Sequence, residues 1–277
     1  MQLLIIIPNG MPVLSTTSRM TALKSSPIID GNNKKEDGLS MNDRQKMIEE
    51  LMKHPIGKDD AFCFHCNQCG ECCRDRVDIL LSPFDLCRMA KALNKPLPDV
   101  LQEYGNLYLG NTSKMPLVSL KMREDNGKCP FLMDDNRCKI HSNKPTVCAL
   151  YPLGRGASRE AKKAKIFYIL QPTTCGGMDE IHTPREWMGE FNLLESEQWF
   201  SVWQDIVMEI SEQIRIVLPQ MPGRSGDELL MGITEILYLH YEVDKPLIPQ
   251  VKENGKLAEK MLMMVKGTLK EYIGWRG

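Results

Sequence analysis

Apolar residues recur at three- and four-residue intervals along several stretches of the chain, which is the spacing of one face of a helix. Over 83–94 this spacing follows Ser82 and Pro83, which suit the N-cap and the first helical position, so a helix is predicted there. A shorter helix is predicted over 98–104. Three longer helices are predicted in the C-terminal third, near 184–217, 229–237 and 257–269.

Strand patterns are confined to short segments. Residues 117–122 alternate between apolar and polar positions, and 166–170 form an apolar run of strand length. Gly154 and Gly156 lie between these two segments and are interpreted as a turn. Short strands that precede long helices predict an α+β fold.

Composition and charge remove several classes of protein. Lys and Arg total 35 against 36 Asp and Glu, so the chain lacks the basic excess of a nucleic-acid binder. No stretch approaches the roughly 18 apolar residues of a membrane span. The apolar run at 3–7 has no positive residue before it and is interrupted by Pro8, unlike a signal peptide. We therefore expect a cytoplasmic protein with reduced thiols that contacts neither nucleic acid nor membrane.

The N-terminal segment carries no sign of a core. Residues 8–40 are polar and lack an apolar period, so 1–40 is predicted to be a disordered leader. Two explanations of this leader remain open: an ordinary flexible tail, or an upstream extension of a chain that truly starts at Met41.

Ten cysteines are concentrated in one part of the chain, and five of them lie within 63–73. Cysteines that serve as small core hydrophobes would be scattered, as Cys87 is. The reducing compartment and the adjacent Cys72 and Cys73 disfavour a disulfide framework. The clustered thiols therefore predict metal binding. The ten are Cys63, Cys66, Cys69, Cys72, Cys73, Cys87, Cys129, Cys138, Cys148 and Cys175.

Three consecutive C-x2-C steps from Cys63 to Cys72 form the first cluster. Two thiolates at this spacing can turn towards one metal ion, which is why the spacing recurs in zinc and iron–sulfur sites. Gly70 can adopt a positive φ and so bring backbone N–H groups near a sulfur. The equal spacing leaves the register of the ligands open. Adjacent side chains tend to project apart, so we expect Cys72 and Cys73 to serve different metal centres.

A second cluster follows at Cys129, Cys138 and Cys148, and Cys175 comes last. The first two are nine residues apart, a span that suits a hairpin around a turn at 134–136. His141 lies inside this cluster and is interpreted as a hydrogen-bonding neighbour of the site rather than as a ligand.

The two clusters together resemble the YkgJ-type cysteine-cluster family. The shared pattern is C-x2-C-G-x-C-C, then C-x-F-L, C-x-I-H and P-x2-C, and a late Cys-Gly; it covers about 60–180. The family is described as a zinc- or iron-chelating CxxCxxCC domain, and flagellin lysine N-methylase carries a related cluster. Cys63 and Cys87 fall outside the pattern, and Lys144 stands where the family usually has Arg. The resemblance implies these cofactor-binding metal ligands: Cys66, Cys69, Cys72, Cys73, Cys129, Cys138, Cys148 and Cys175.

Eight thiolates divide into two four-sulfur sites, and such sites select zinc or iron–sulfur clusters. The dense first run and the Cys129-Pro130 pair are similar to a bacterial ferredoxin, which favours an iron–sulfur cluster of the 4Fe-4S type; zinc is the alternative. The first functional hypothesis is a redox or protein-modifying, methylase-like role with a protein substrate or redox partner. The second is a zinc-binding structural or interaction module without catalysis.

These patterns predict a small irregular cysteine-rich metal-binding domain with short strands, followed by a mainly helical C-terminal region. The predicted boundaries are a disordered leader at 1–40, a cysteine-cluster metal-binding domain at 41–182 and a helical region at 183–277.

Overall fold

A computed structural model describes residues 3–4, 50, 53–76, 79–160, 163–173, 175–221 and 223–273. The remainder of the predicted leader at 1–40, and the proposed start at Met41, lie outside the described residues. The α-helices of the described part are α1 (Pro83–Leu93), α2 (Leu97–Tyr104), α3 (Thr146–Leu150), α4 (Pro184–Glu190), α5 (Leu194–Val217), α6 (Ser225–Thr234) and α7 (Leu247–Ile273).

Short antiparallel strands accompany these helices, which confirms the α+β prediction. β5 pairs with both β1 and β6, β2 pairs with β7, and β3 pairs with β4. The strands are β1 (Leu3–Leu4), β2 (Phe62–His65), β3 (Gly105–Leu109), β4 (Pro116–Leu120), β5 (Leu153–Glu160), β6 (Lys163–Leu170) and β7 (Gly177–His182).

The turn predicted at Gly154 and Gly156 is wrong, because both residues lie inside β5 and pair with Ile169 and Phe167 of β6. A Cβ built on Gly156 would approach the Phe167 ring to 2.5 Å. The glycine therefore makes room for an aromatic ring across the strand pair, a use of glycine that local turn propensity does not reveal.

The predicted helices over 83–94 and 98–104 are confirmed as α1 and α2. α1 begins with a capping box in which Ser82 accepts from the Asp85 backbone and Asp85 accepts from the Ser82 backbone. The single helix predicted from 184 to 217 is divided into α4 and α5. The break contains Asn192 at φ 53, a conformation that ends helices and that Asn tolerates.

The largest apolar core crosses position 183, where the sequence predicts a domain boundary. It joins buried side chains of α1 and β4, such as Leu86 and Val118, to those of α5, α6 and α7, such as Trp203, Ile233 and Leu262. The tryptophans of α5 stack within it, since the ring centroids of Trp199 and Trp203 are 5.6 Å apart. The boundary at 182/183 stays a prediction from the sequence pattern, since one core includes side chains from both sides of it.

A smaller core lies beneath β2 and connects it to α3 and α4. Phe62 and Phe64 both pack edge-on against Trp187, and the Trp187 indole N–H donates to the carbonyl of Ala149 in α3 at 3.1 Å. This packing brings the strand before the first cysteine cluster next to the helix that carries Cys148. Among the described residues, no helix combines the length and the apolar character needed to cross a membrane.

Candidate metal centre

The first cysteine cluster leaves β2 through a loop and ends in a 3-10 turn at Glu71–Cys73. Gly70 precedes this turn at φ 76, the left-handed conformation predicted for it. A Cβ on Gly70 would lie 3.2 Å from Asn136 and 3.3 Å from Leu132. The first cluster is thus packed directly against the hairpin of the second cluster.

Backbone N–H groups act on two of the cysteine thiols in the same way. The N–H groups of Glu71 and Ile140, each two positions further along the chain, act to lower the pKa of Cys69 and Cys138. Such interactions favour the thiolate form, which is the form that binds metal. The arrangement at Cys69 agrees with the role expected of Gly70.

The second cluster is built on a hairpin, as its spacing predicts. Leu132 and Cys138 form an antiparallel bridge, and the turn between them contains Asn136 at φ 63. The N–H of Cys129 donates to the carbonyl of Cys73 at 2.8 Å. This backbone contact joins the two clusters, which are distant in sequence.

The sulfurs of Cys72 and Cys73 lie 4.0 Å apart, so the expectation that these adjacent side chains project apart is wrong. Both residues lie in the tight 3-10 turn at Glu71–Cys73. A tetrahedral zinc site with Zn–S bonds of about 2.3 Å requires sulfur–sulfur distances of about 3.8 Å. The observed separation is close to this value.

Cys73, Cys138 and Cys148 all pack against the large core to which Cys129 belongs. The pKa of Cys73 is raised to about 11. The neighbouring Cys129 thiol is the largest cause of this increase, and burial adds to it. The Cys72 thiol acts in the opposite direction. Burial raises the pKa of Cys148, and the thiols of Cys73, Cys72 and Cys138 add to this effect. Burial also raises the pKa of Cys138. Without metal, the raised pKa values of Cys73, Cys138 and Cys148 favour their protonated form.

Cys175 joins the other end of the thiol group. The N–H of Glu71 acts to lower the pKa of Cys69, but burial and the Cys175 thiol outweigh it and leave that pKa raised. Cys72 also faces Cys69, so one turn of chain contacts both sets of thiols.

Two hydroxyl groups that sequence analysis did not single out lie at Cys175. Its sulfur is 3.5 Å from the Tyr151 hydroxyl and 3.4 Å from Thr173 Oγ1, and these two hydroxyls also contact each other. Burial is the main cause that raises the pKa of Tyr151 to about 12. In the sequence, the only indication that Tyr151 lies near the thiols is its position three residues after Cys148.

Positive charge faces the thiols. Lys144 acts to lower the pKa of Cys72, Cys138 and Cys148, and Arg76 acts on Cys72 in the same direction. Lys144 Nζ lies 4.2 Å from the ring centroid of Phe191, which holds it beside the cluster. Lys144 therefore places a cation next to these sulfurs, although the family usually has Arg at this position.

Three cysteines lie outside this group of contacts. Cys63 is exposed on β2 opposite Ile181, and Cys87 is buried in the large core within α1. Cys66 matches the family pattern but is exposed, and it makes none of the thiol contacts described above. His141 packs against Phe191 with ring centroids 5.7 Å apart, and burial lowers its pKa.

The gathered thiols are not yet a closed coordination shell. In the described part of the chain, no group of three or more His, Cys, Asp or Glu side chains is arranged to hold a metal ion. The chemistry of the donors nevertheless fits zinc or iron, because thiolates are ligands that both metals accept. The sulfurs of Cys72 and Cys73 lie 4.0 Å apart, and the Cys129 backbone is hydrogen-bonded to Cys73.

Comparison with protein families agrees with this geometry. Residues 65–176 match the model of the CxxCxxCC family, described as "Putative zinc- or iron-chelating domain". The matched segment contains all eight cysteines that the sequence pattern selects. Comparisons with curated proteins and with solved structures gave no significant match. The segment is thus similar to the CxxCxxCC family, and chelation of zinc or iron is the property described for that family.

Proposed function

We propose that this chain is an iron–sulfur protein with a redox role. The eight cysteines of the family pattern would hold its clusters, which are of the 4Fe-4S type. The observation that carries the proposal is the 2.8 Å hydrogen bond from the Cys129 N–H to the Cys73 carbonyl, which joins two clusters remote in sequence. A redox partner or protein substrate would approach from outside the domain.

The ligands divide around the turn at Glu71–Cys73. One centre takes Cys73 with Cys129, Cys138 and Cys148, all of which belong to or pack against the same core. The other takes Cys72 with Cys69 and Cys175, and Cys66 is its fourth ligand once the exposed loop turns inward. A bound cluster supplies one-electron transfer. The chain supplies thiolates, N–H donors to sulfur and the compensating charge of Lys144.

Anaerobic purification tests this proposal. We expect a brown protein with visible absorbance and about four iron and four sulfide per cluster. Cys148→Ser is expected to remove one cluster, whereas Cys63→Ser, the matched control outside the family pattern, keeps the full iron content. A colourless protein without iron would contradict the iron–sulfur proposal.

The zinc-binding structural module remains the second candidate. The thiol separation of 4.0 Å between Cys72 and Cys73 favours it, because that distance fits the edge of a tetrahedral zinc site. Stoichiometric zinc in a colourless protein, together with unfolding upon chelation, would establish it.

A protein-modifying, methylase-like role depends on Cys66. The exposure of Cys66 favours a centre with three protein ligands and one open position, which suits catalysis better than a closed site does. If Cys66→Ser retains the cluster of Cys69, the modifying role is supported; if it loses that cluster, a closed electron-transfer site is supported.

A further inference from the structure

Asp85 is a buried carboxylate that accepts four hydrogen bonds. The residue is 2% exposed. Its Oδ2 accepts from the N–H and hydroxyl of Ser82 at 2.9 and 2.6 Å. Its Oδ1 accepts from the N–H and hydroxyl of Thr146 at 2.7 and 2.5 Å. All four partners are donors, so both oxygens act only as acceptors, as those of a carboxylate do.

The contact with Thr146 reaches the helix that carries Cys148. α3 starts at Thr146 after Pro145, which provides no side-chain cap. Asp85 supplies the missing acceptor from α1, 61 residues away in the chain. Thr146 is itself buried, so without Asp85 its N–H and hydroxyl would lose their partners away from water.

A second contact from α1 holds the same segment. Arg88, three residues after Asp85 on the same helix, donates to the carbonyl of Ser142 at 2.9 Å. α1 therefore contacts both ends of 142–146, the stretch that links the hairpin of Cys138 to the helix of Cys148. α1 itself contains no cysteine of the family pattern.

We propose that Asp85 is a positioning residue for the metal centre: it fixes the start of α3 and thereby sets the position of Cys148, which packs against the same core as Cys73. This inference rests on the proposed role of Cys148 as a ligand. Asp85 touches no thiol in this role and acts only through Thr146.

Asp85→Asn tests the proposal in the full-length chain. The amide keeps the size of the side chain, but its nitrogen must face either the donors of Ser82 or those of Thr146. The probe is Co²⁺ alone, followed through its thiolate charge-transfer absorbance, with alkylation of each cysteine mapped in the loaded protein. We expect Co²⁺ affinity to fall about tenfold and Cys148 to become alkylatable.

Glu186→Gln is the matched control, because Glu186 closes the capping box of α4 with Thr183 through the same contacts. It is expected to leave the cobalt spectrum and the protection of Cys148 unchanged. A spectrum and protection in Asp85→Asn equal to those of the unaltered protein would overturn the inference.

The remaining outcomes are also distinguishable. If Cys148 of the unaltered, Co²⁺-loaded protein is alkylated as fast as in the metal-free protein, the proposed role of Cys148 as a ligand fails and the positioning role falls with it. If Asp85→Asn does not fold, Thr146→Val takes its place, since it removes only the hydroxyl donor. Partial exposure of Cys148 to alkylation in that variant supports the inference, and full protection overturns it.

Discussion

At the scale of single residues, the raised thiol pKa values couple metal binding to proton release. The Cys129 hydrogen bond and burial raise the pKa of Cys73 to about 11, and burial raises the pKa of Cys148. Metal binds thiolates, so each of these ligands must lose a proton upon binding. We predict that Zn²⁺ affinity increases from pH 6.5 to pH 8.5, as measured by competition with a chromogenic chelator. An affinity that is independent of pH would contradict this.

The same shifts govern the metal-free protein at alkaline pH. Burial raises the pKa of Cys87 from 9.0 to about 12. A raised pKa contributes stability that is fully present below pH 9 and is lost as the pH rises towards 12. We predict that the free energy of unfolding of the chelated protein falls above pH 9. In Cys87→Ala the free energy of unfolding should fall less over the same pH range. An equal fall would show that ionisation of Cys87 does not cause it.

Tyr151 is predicted to tune the centre that includes Cys175. Its hydroxyl lies 3.5 Å from the Cys175 sulfur and accepts from it while that sulfur is a thiol. A thiolate that binds metal has no proton to donate, so in the proposed centre the hydroxyl would donate to the sulfur. A hydroxyl that donates to a cluster sulfur stabilises the more negative, reduced state and raises the reduction potential. We predict that Tyr151→Phe keeps its iron content and lowers the potential measured by redox titration. Loss of iron in this variant would instead show that the hydroxyl is needed to retain the cluster.

At the scale of the secondary-structure elements, β2 determines the ligand register. Cys63 is paired with Ile181 inside β2, whereas Cys66 lies in the loop that follows the strand, so strand pairing holds Cys63 outside the loop that carries the other cysteines of the first cluster. We predict that Cys63→Ser keeps the full metal content and that Cys69→Ser loses metal. If metal analysis shows equal losses in both variants, Cys63 is a ligand and the set of metal ligands begins one C-x2-C step earlier.

The turn at Gly70 is the element that connects the clusters. At φ 76 and with Asn136 3.2 Å from its built Cβ, Gly70→Ala is expected to cost about 1–2 kcal/mol of stability and to weaken metal binding. Gly189→Ala in α4 is the control, because nothing lies within 4 Å of its added Cβ. Denaturant unfolding and metal titration of both variants provide the comparison. Equal behaviour of the two would contradict the role of the turn.

At the scale of the whole molecule, the shared core couples the cysteine region to the C-terminal helices. Leu86 of α1 and Trp203 of α5 belong to one buried cluster. We therefore predict that metal removal destabilises the whole chain in one transition. Exposure of the buried Cys87 thiol to alkylation and loss of helical circular dichroism in the chelated protein should occur together in denaturant. Helices that persist after Cys87 has become reactive would show two independent units.

The local elements of this protein could be predicted from its sequence. The capping box of Ser82 and Asp85, the positive φ of Gly70 and the turn before Cys138 all depend on residues only a few positions apart. The division of the long helix and the strand at Gly154 could not, because packing against distant side chains decides both.

The sequence by itself thus determined which thiols are available and that they belong to a zinc- or iron-chelating type of domain. Only the tertiary structure decided how they meet. Cys73 reaches Cys129 and Asp85 reaches Thr146 because the chain folds back on itself over long separations. Such contacts depend on the global packing of the core, and local residue spacing carries no record of it.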